Sequence, residues 1–223
     1  MRGCVDAAPA RTLLRVARGR LITIEGIDGA GKSTLAAGLR DALAARGVDA
    51  VALREPGGVA VGERIRELVK DPALEIDARA EALLYAASRA ALVGAVVEPA
   101  LAAGRWVLLD RYIDSSLAYQ GAGRGLGVEA VRAINEFATG GLRADRTLLL
   151  VIDPGAGHAR RGGRGGGVDR LEREGDAFFA AIAGAYAALA AAEPGRVRAL
   201  DATRSASAVL ADAVEALADL LGS

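Results

Sequence analysis

The run Gly26-Ile27-Asp28-Gly29-Ala30-Gly31-Lys32-Ser33-Thr34 constrains this chain more than any other stretch. It fits the phosphate-binding pattern G-x-x-x-x-G-K-[ST], which the chain's own Gly, Lys and Ser/Thr frequencies would produce by chance roughly 0.002 times. The apolar strand-like run Leu21-Ile22-Thr23-Ile24-Glu25 precedes it, and a helical pattern follows from Lys32 to Arg46, ended by Gly47. A strand, a glycine turn and a helix in that order commit the chain to a βα unit with an anion site at the helix N-terminus. Only one other lysine, Lys70, occurs, and all other basic residues are arginine. Lysine thus stands where a compact ammonium suits a nest of phosphate oxygens better than a planar guanidinium.

The remaining apolar runs alternate with helical patterns. Strands are expected at Val48–Leu53, Trp106–Asp110, Thr147–Ile152 and Val197–Leu200. Helices are expected at Val61–Val69, Ala78–Ala103 with an interruption at Pro99, Val128–Ala138, Asp169–Ala192 and Ala206–Leu221. Such alternation implies an α/β fold: a five-stranded parallel sheet covered on both faces, with ligands at the carboxyl ends of the strands. Residues 19–223 read as one domain, and residues 1–18 as a disordered extension with no h-region of a signal peptide.

Acidic and basic residues balance at 28 each, which argues against a nucleic-acid or membrane-surface binder. The longest uninterrupted apolar run, Ala177–Ala192, is shorter than the ~20 residues that span a bilayer and reads as a packed helix. The single cysteine, Cys4, fits a reducing cytoplasm.

Within the glycine turn, the backbone N–H groups of residues 29–33 would wrap ATP phosphates. Lys32 would bridge the β- and γ-phosphates, and Ser33 would hold Mg²⁺. No guanine-reading N-K-x-D is present, which argues against a GTP-driven switch. A transferring enzyme needs a second anion site. Asp110-Arg111-Tyr112 at the end of the third strand supplies one: an arginine for an acceptor phosphate beside a carboxylate for Mg²⁺-bound water.

Four stretches in order, Glu25 through Thr34, Arg54-Glu55-Pro56-Gly57-Gly58, Asp110-Arg111-Tyr112 through Ser115-Ser116-Leu117-Ala118-Tyr119-Gln120-Gly121, and Asp169-Arg170-Leu171-Glu172, resemble thymidylate kinase, from about Arg20 to the C-terminus. The resemblance implies the P-loop nucleoside-monophosphate-kinase fold with a short lid, and phosphorylation of dTMP to dTDP by ATP with Mg²⁺ in dTTP biosynthesis. It assigns Gly26, Ile27, Asp28, Gly29, Ala30, Gly31, Lys32, Ser33 and Thr34 to ATP, and Ser33 and Asp110 to the metal. It assigns Asp28, Glu55, Arg66, Tyr85, Arg89, Arg111, Ser116, Tyr119, Gln120 and Glu172 to dTMP. In that scheme Asp28 contacts the sugar 3′-hydroxyl and Arg111 and Arg66 bind the acceptor phosphate. Tyr85 stacks on thymine, Arg89 donates to thymine O4, Ser116 and Gln120 lie near the base edge, and Tyr119 blocks a ribose 2′-hydroxyl. Taken alone, Tyr85 fits core packing and Arg89 a solvated charge.

Two departures stand out: Tyr85 replaces the family's usual Phe, and Ser88 its usual Asp, which removes one anchor for Arg89. Family members with a catalytic arginine in the P-loop carry it where Gly29 stands here; the variant without it places its arginines in the lid. Arg160, Arg161 and Arg164 lie in a Gly/Arg-rich loop expected at about 160–168 and would serve as those catalytic arginines. The resemblance also implies a homodimer. The alternatives from the residues are another P-loop small-molecule or nucleotide kinase, and a non-enzymatic ATP-binding regulator.

Overall fold

Strands whose side chains are apolar on both faces belong in the middle of a parallel sheet, and the sequence supplies three of them. β1 (Leu21–Glu25), β3 (Trp106–Asp110) and β4 (Arg146–Val151) are almost wholly buried, whereas β2 (Ala50–Arg54) and β5 (Val197–Asp201) are half-exposed and take the edges. The computed structural model describes residues 17–162 and 170–222 and joins these strands in one parallel sheet, ordered β2-β3-β1-β4-β5. The order reverses between β1 and β3. This is the crevice where open α/β sheets bind ligands, and both the glycine turn and Arg111 leave the sheet there.

Two apolar clusters sandwich the sheet. Ile22, Ile24, Leu108 and Leu148 pack with Leu35, Leu39 and Leu43 of α1 (Lys32–Ala44). Leu21, Val107 and Leu109 pack in the second cluster with Leu92 of α3 (Ala78–Leu92) and with Val97 and Leu101 beyond it. α2 (Ala60–Lys70) and α6 (Val128–Thr139) flank α3. α8 (Asp176–Ala192) buries Phe178, Phe179, Ile182, Tyr186 and Leu189.

Three expected elements differ. The stretch Ala78–Ala103 divides into α3, a wide π-turn at Val93–Val97 and α4 (Glu98–Ala102). The wide turn makes room for the Pro99 ring, so the break falls one turn before the proline. The helix expected from Asp169 starts instead at Asp176, after a 3₁₀ turn at Leu171–Arg173 and an extended Gly175. The last helix breaks into α9 (Ala206–Glu215) and α10 (Ala218–Leu221).

Two further helices stand where none was expected: α5 (Ile113–Ser116), continued by a π-helical segment Leu117–Gly123, and α7 (Pro154–Gly162). α7 exists despite three glycines because Asp153 caps it. Asp153 Oδ1 accepts from Gly155 N at 2.9 Å and Ala156 N at 3.2 Å, and Pro154 pre-sets the first turn. Arg160 is therefore helical rather than in a loop, and residues 163–168 of the expected loop lie outside the described residues. Arg164 lies outside the described residues, as does the extension up to residue 16; Arg18 is described and pairs with Asp145 at 3.3 Å.

By length and composition, the continuous helical stretch Ala78–Ala102 could cross a membrane. It carries the fully buried Glu81 and the almost fully buried Arg89, both engaged in ion pairs, and its apolar side closes the second core cluster.

Leu108, at the centre of β3 and fully buried, tests this architecture. Leu108→Ala is expected to cost about 2–5 kcal/mol of unfolding free energy, measured by denaturant titration.

Candidate active site

The glycine turn puts an anion site at the start of α1. Gly31 occupies the N-cap position at φ 101° with no side-chain cap, so the first N–H groups of α1 face the turn. Lys32 Nζ is held inside the turn, donating to Gly26 O at 3.1 Å and Ile27 O at 2.9 Å, with Asp28 at 4.0 Å. Burial, helped by the nearby Arg111 guanidinium, lowers its pKa to about 8. Ser33 Oγ donates to Asp110 Oδ2 at 2.7 Å. The hydroxyl and carboxylate expected to serve the metal are thus adjacent hard-oxygen donors at the edge of the phosphate site, a set that fits Mg²⁺ with water completing its shell. No cluster of three or more His, Cys, Asp or Glu occurs among the described residues.

Gly29 and Gly157 explain each other. A Cβ on Gly29 would sit 2.1 Å from Gly157 O, and one on Gly157 would sit 2.8 Å from Asp28 O. α7 therefore lies backbone-to-backbone on the turn, and with α7 in this position no arginine fits at 29.

At the end of β3 the chain turns sharply. Arg111 takes a left-handed φ of 72°, a conformation non-glycine residues seldom adopt, and its N–H donates to Ile24 O at 3.0 Å. Glu25, wholly buried, holds the exit of that turn: it accepts from Tyr112 N at 2.7 Å, Ser115 Oγ at 2.5 Å and Tyr186 Oη at 3.0 Å. Burial and Asp114 raise the Glu25 carboxyl above its ordinary range. The turn aims the Arg111 guanidinium back at the P-loop, where it donates to Asp28 Oδ1 at 2.8 Å, Tyr119 Oη at 3.0 Å and Ser115 Oγ at 3.0 Å. It also lies 4.8 Å over the Tyr119 ring.

One cleft gathers Asp28, Lys32, Ser33, Glu55, Arg66, Tyr85, Arg89, Asp110, Arg111, Ser116, Tyr119 and Gln120. Arg66 is steadied by Pro56 O at 3.0 Å. Tyr85 is half-buried on the wall, one helical turn from Arg89.

Arg89 departs most from expectation. It is 1% exposed, and its N–H groups already go to Glu55 Oε2 (2.7 Å), Ser116 Oγ (2.9 Å), Tyr112 O (2.8 Å) and Asn135 Oδ1. The anchor absent at Ser88 is thus supplied by Glu55 and Asn135, while Ser88 Oγ accepts from Gly57 N at 3.3 Å. Burial raises the Glu55 carboxyl to about 7 although Arg89 pulls it down. For Arg89 to donate to a base, an existing partner, such as Ser116, would have to be exchanged.

Arg160 lies on the other side of the P-loop from Arg111, donating to Ala202 O at 2.7 Å and lining a second cleft with Thr34, Leu35, Ala202 and Arg204. Arg161 and Glu172 stand in α7 and the 3₁₀ turn, and their side chains are outside the described residues. Sequence reasoning missed Glu25, Glu81, Ser115, Arg124, Asn135 and Tyr186 as supports. Glu25 carried a signal, an acid closing an apolar strand next to the glycine turn; the others come from separate elements with no shared spacing.

Lys32 yields a pH test. Its folded pKa lies below the unfolded 10.5, so between about pH 8 and 10.5 the unfolded chain binds more protons and this group's contribution to stability rises with pH. With only Lys32 and Lys70 in the chain, lysine ¹³Cε NMR resolves it directly. Lys32 is expected to titrate near 8 in the free protein, and ATP phosphates are expected to move it upward.

Comparison with known proteins agrees with this geometry. The family model for thymidylate kinase matches residues 24–213. The thymidylate kinase of Halorhodospira halophila is 45% identical over 92% of this chain and 96% of its own length. That of Alkalilimnicola ehrlichii is 48% identical over 90% and 93%, and that of Deinococcus radiodurans 50% over 85% and 91%. With the family match over most of its length and relatives 45–50% identical across nearly all of theirs, the chain belongs to the thymidylate kinase family.

Proposed function

We propose that this protein transfers the γ-phosphoryl group of ATP in line to the 5′-phosphate of dTMP, giving dTDP. The observation that carries this reading is the 2.8 Å contact between Arg111 and Asp28, which joins an acceptor-side arginine to the donor turn in one cleft with Lys32 and Tyr85. Lys32 and the N–H groups of the turn hold the donor phosphates. Arg111 and Arg66 hold the acceptor phosphate. Asp28 meets the sugar, Tyr85 stacks on the base, and Tyr119 fills the space a 2′-hydroxyl would need. Ser33 and Asp110 would hold Mg²⁺, which neutralises charge on the transferring group when bound. The second cleft, beside Arg160 and Arg204, takes the adenine end of ATP. The close packing of Gly29 on Gly157 supports arginines of α7 and the sequence that follows it, with Arg160, Arg161 and Arg164 as the candidates, as the source of the charge absent at 29.

The protein works as a single kinase domain in the cytoplasm, without nucleic acid or membrane, and as a homodimer. Large apolar side chains exposed on α2, α3 and α6 support the dimer: Val61, Leu68, Leu83 and Phe137, the last 92% exposed.

A coupled ADP-release assay with dTMP, dUMP, dCMP, AMP and shikimate tests the reading. dTMP is expected to be the best acceptor, with dUMP within about tenfold because a methyl contact is worth only ~1 kcal/mol, and dCMP far behind. Equal or better turnover of a non-thymidine acceptor makes it a different kinase. ATP binding with no acceptor-dependent ADP release makes it a regulator.

A further inference from the structure

Gln120 lines the acceptor cleft and is 2% exposed, so which end of its carboxamide faces the ligand is set by the protein behind it. That neighbour is Glu81, in the first turn of α3 and fully buried. Gln120 Nε2 donates to Glu81 Oε1 at 2.9 Å. A carboxylate only accepts hydrogen bonds, so it holds the amide nitrogen and turns the amide oxygen the other way.

Glu81 is itself pinned. Arg124 reaches its Oε2 through Nε at 3.2 Å, and Arg170 donates to the same oxygen. Arg124 is braced by Glu174 and lies 4.9 Å over the Phe178 ring, and Arg170 Nε donates to Val69 O at 3.2 Å. Two guanidiniums thus hold this buried carboxylate in place.

We propose that Glu81 is the positioning residue for base selectivity, acting through Gln120, and this rests on the reading of the cleft as a dTMP site. A thymine-type ring presents an N3–H donor, which a Gln120 Oε1 facing the cleft accepts. A cytosine-type ring presents an N3 acceptor, which meets that oxygen with no proton between them. With the Arg89 N–H groups already engaged by Glu55, Ser116, Asn135 and Tyr112, the Gln120 amide is a reader of the base edge that needs no exchange of partners, and Glu81 sets its orientation.

The test is the ratio of kcat/KM for dTMP to that for dCMP in wild type, Glu81→Gln, Gln120→Leu and the double variant. In Glu81→Gln the residue at 81 can offer either an oxygen or a nitrogen, so the Gln120 amide is no longer fixed, and the ratio is expected to fall about tenfold or more. In the Gln120→Leu background the same change is expected to leave the ratio within about twofold. A Glu81→Gln enzyme that is slower on both substrates with its ratio intact, or a ratio change that persists without Gln120, overturns the proposal. A wild type that does not prefer dTMP overturns the reading of the cleft itself, which is a separate failure. If the Glu81 variants do not fold, hydrogen exchange of the Gln120 side-chain amide in the wild type decides. Protection already present without dTMP supports the proposal, and protection that appears only when dTMP binds overturns it.

Discussion

The turn at the end of β3 depends on one buried carboxylate. Glu25 closes β1 inside the core, away from water, and three donors from the turn after β3, from α5 and from α8 converge on it: Tyr112 N, Ser115 Oγ and Tyr186 Oη. An unpartnered charge there would be costly, so the exit of β3 is fixed by the need to satisfy it. That fixation lets Arg111 persist in a left-handed conformation at φ 72°, and the conformation points its guanidinium at Asp28 instead of into solvent. The glycine turn and the Arg111 guanidinium are thus set in register by the protein itself, the kind of preorganisation phosphoryl transfer needs.

The chain sorts its cations by the geometry of what they hold. Lysine stands where the turn offers a small nest of carbonyl and amide groups. Arginine stands wherever several acceptors must be bridged at once: Arg89 spans Glu55, Ser116, Tyr112 and Asn135, and Arg111 spans Asp28, Ser115 and Tyr119. The glycines follow the same logic. Gly29 and Gly157 are small because two backbones touch there, which leaves no room for an arginine at 29.

Much of the fold was legible because its signals are local. The strands at Leu21–Glu25 and Trp106–Asp110 are unbroken apolar runs, and the glycine turn is a contiguous motif. α7 was not legible as a helix, since Pro-Gly-Ala-Gly has poor helix propensity and only the Asp153 cap and the P-loop packing hold it. The break before Pro99 was legible, but its position one turn earlier was not, because the wide turn is the backbone's answer to the ring. In the site, residues from the glycine turn, α2, α3 and the segment after β3 line one cleft, whereas Arg160 lines another. Their supports did not announce themselves: Asn135 on α6, Tyr186 on α8 and Glu81 on α3 are brought together by tertiary packing alone. Arg89 shows the limit best, since its spacing from Tyr85 placed it on the cleft wall while its hydrogen bonds belong to the wall itself.

The central claim is that Arg111 serves the acceptor while the P-loop serves the donor. Calorimetric titration of Arg111→Gln with dTMP and, separately, with ATP tests it most directly. The account predicts that dTMP affinity falls at least about thirtyfold, as expected when a charged contact to a bound anion is truncated, while ATP affinity stays within about threefold. Unchanged dTMP affinity, or an equal loss for both nucleotides, would contradict it.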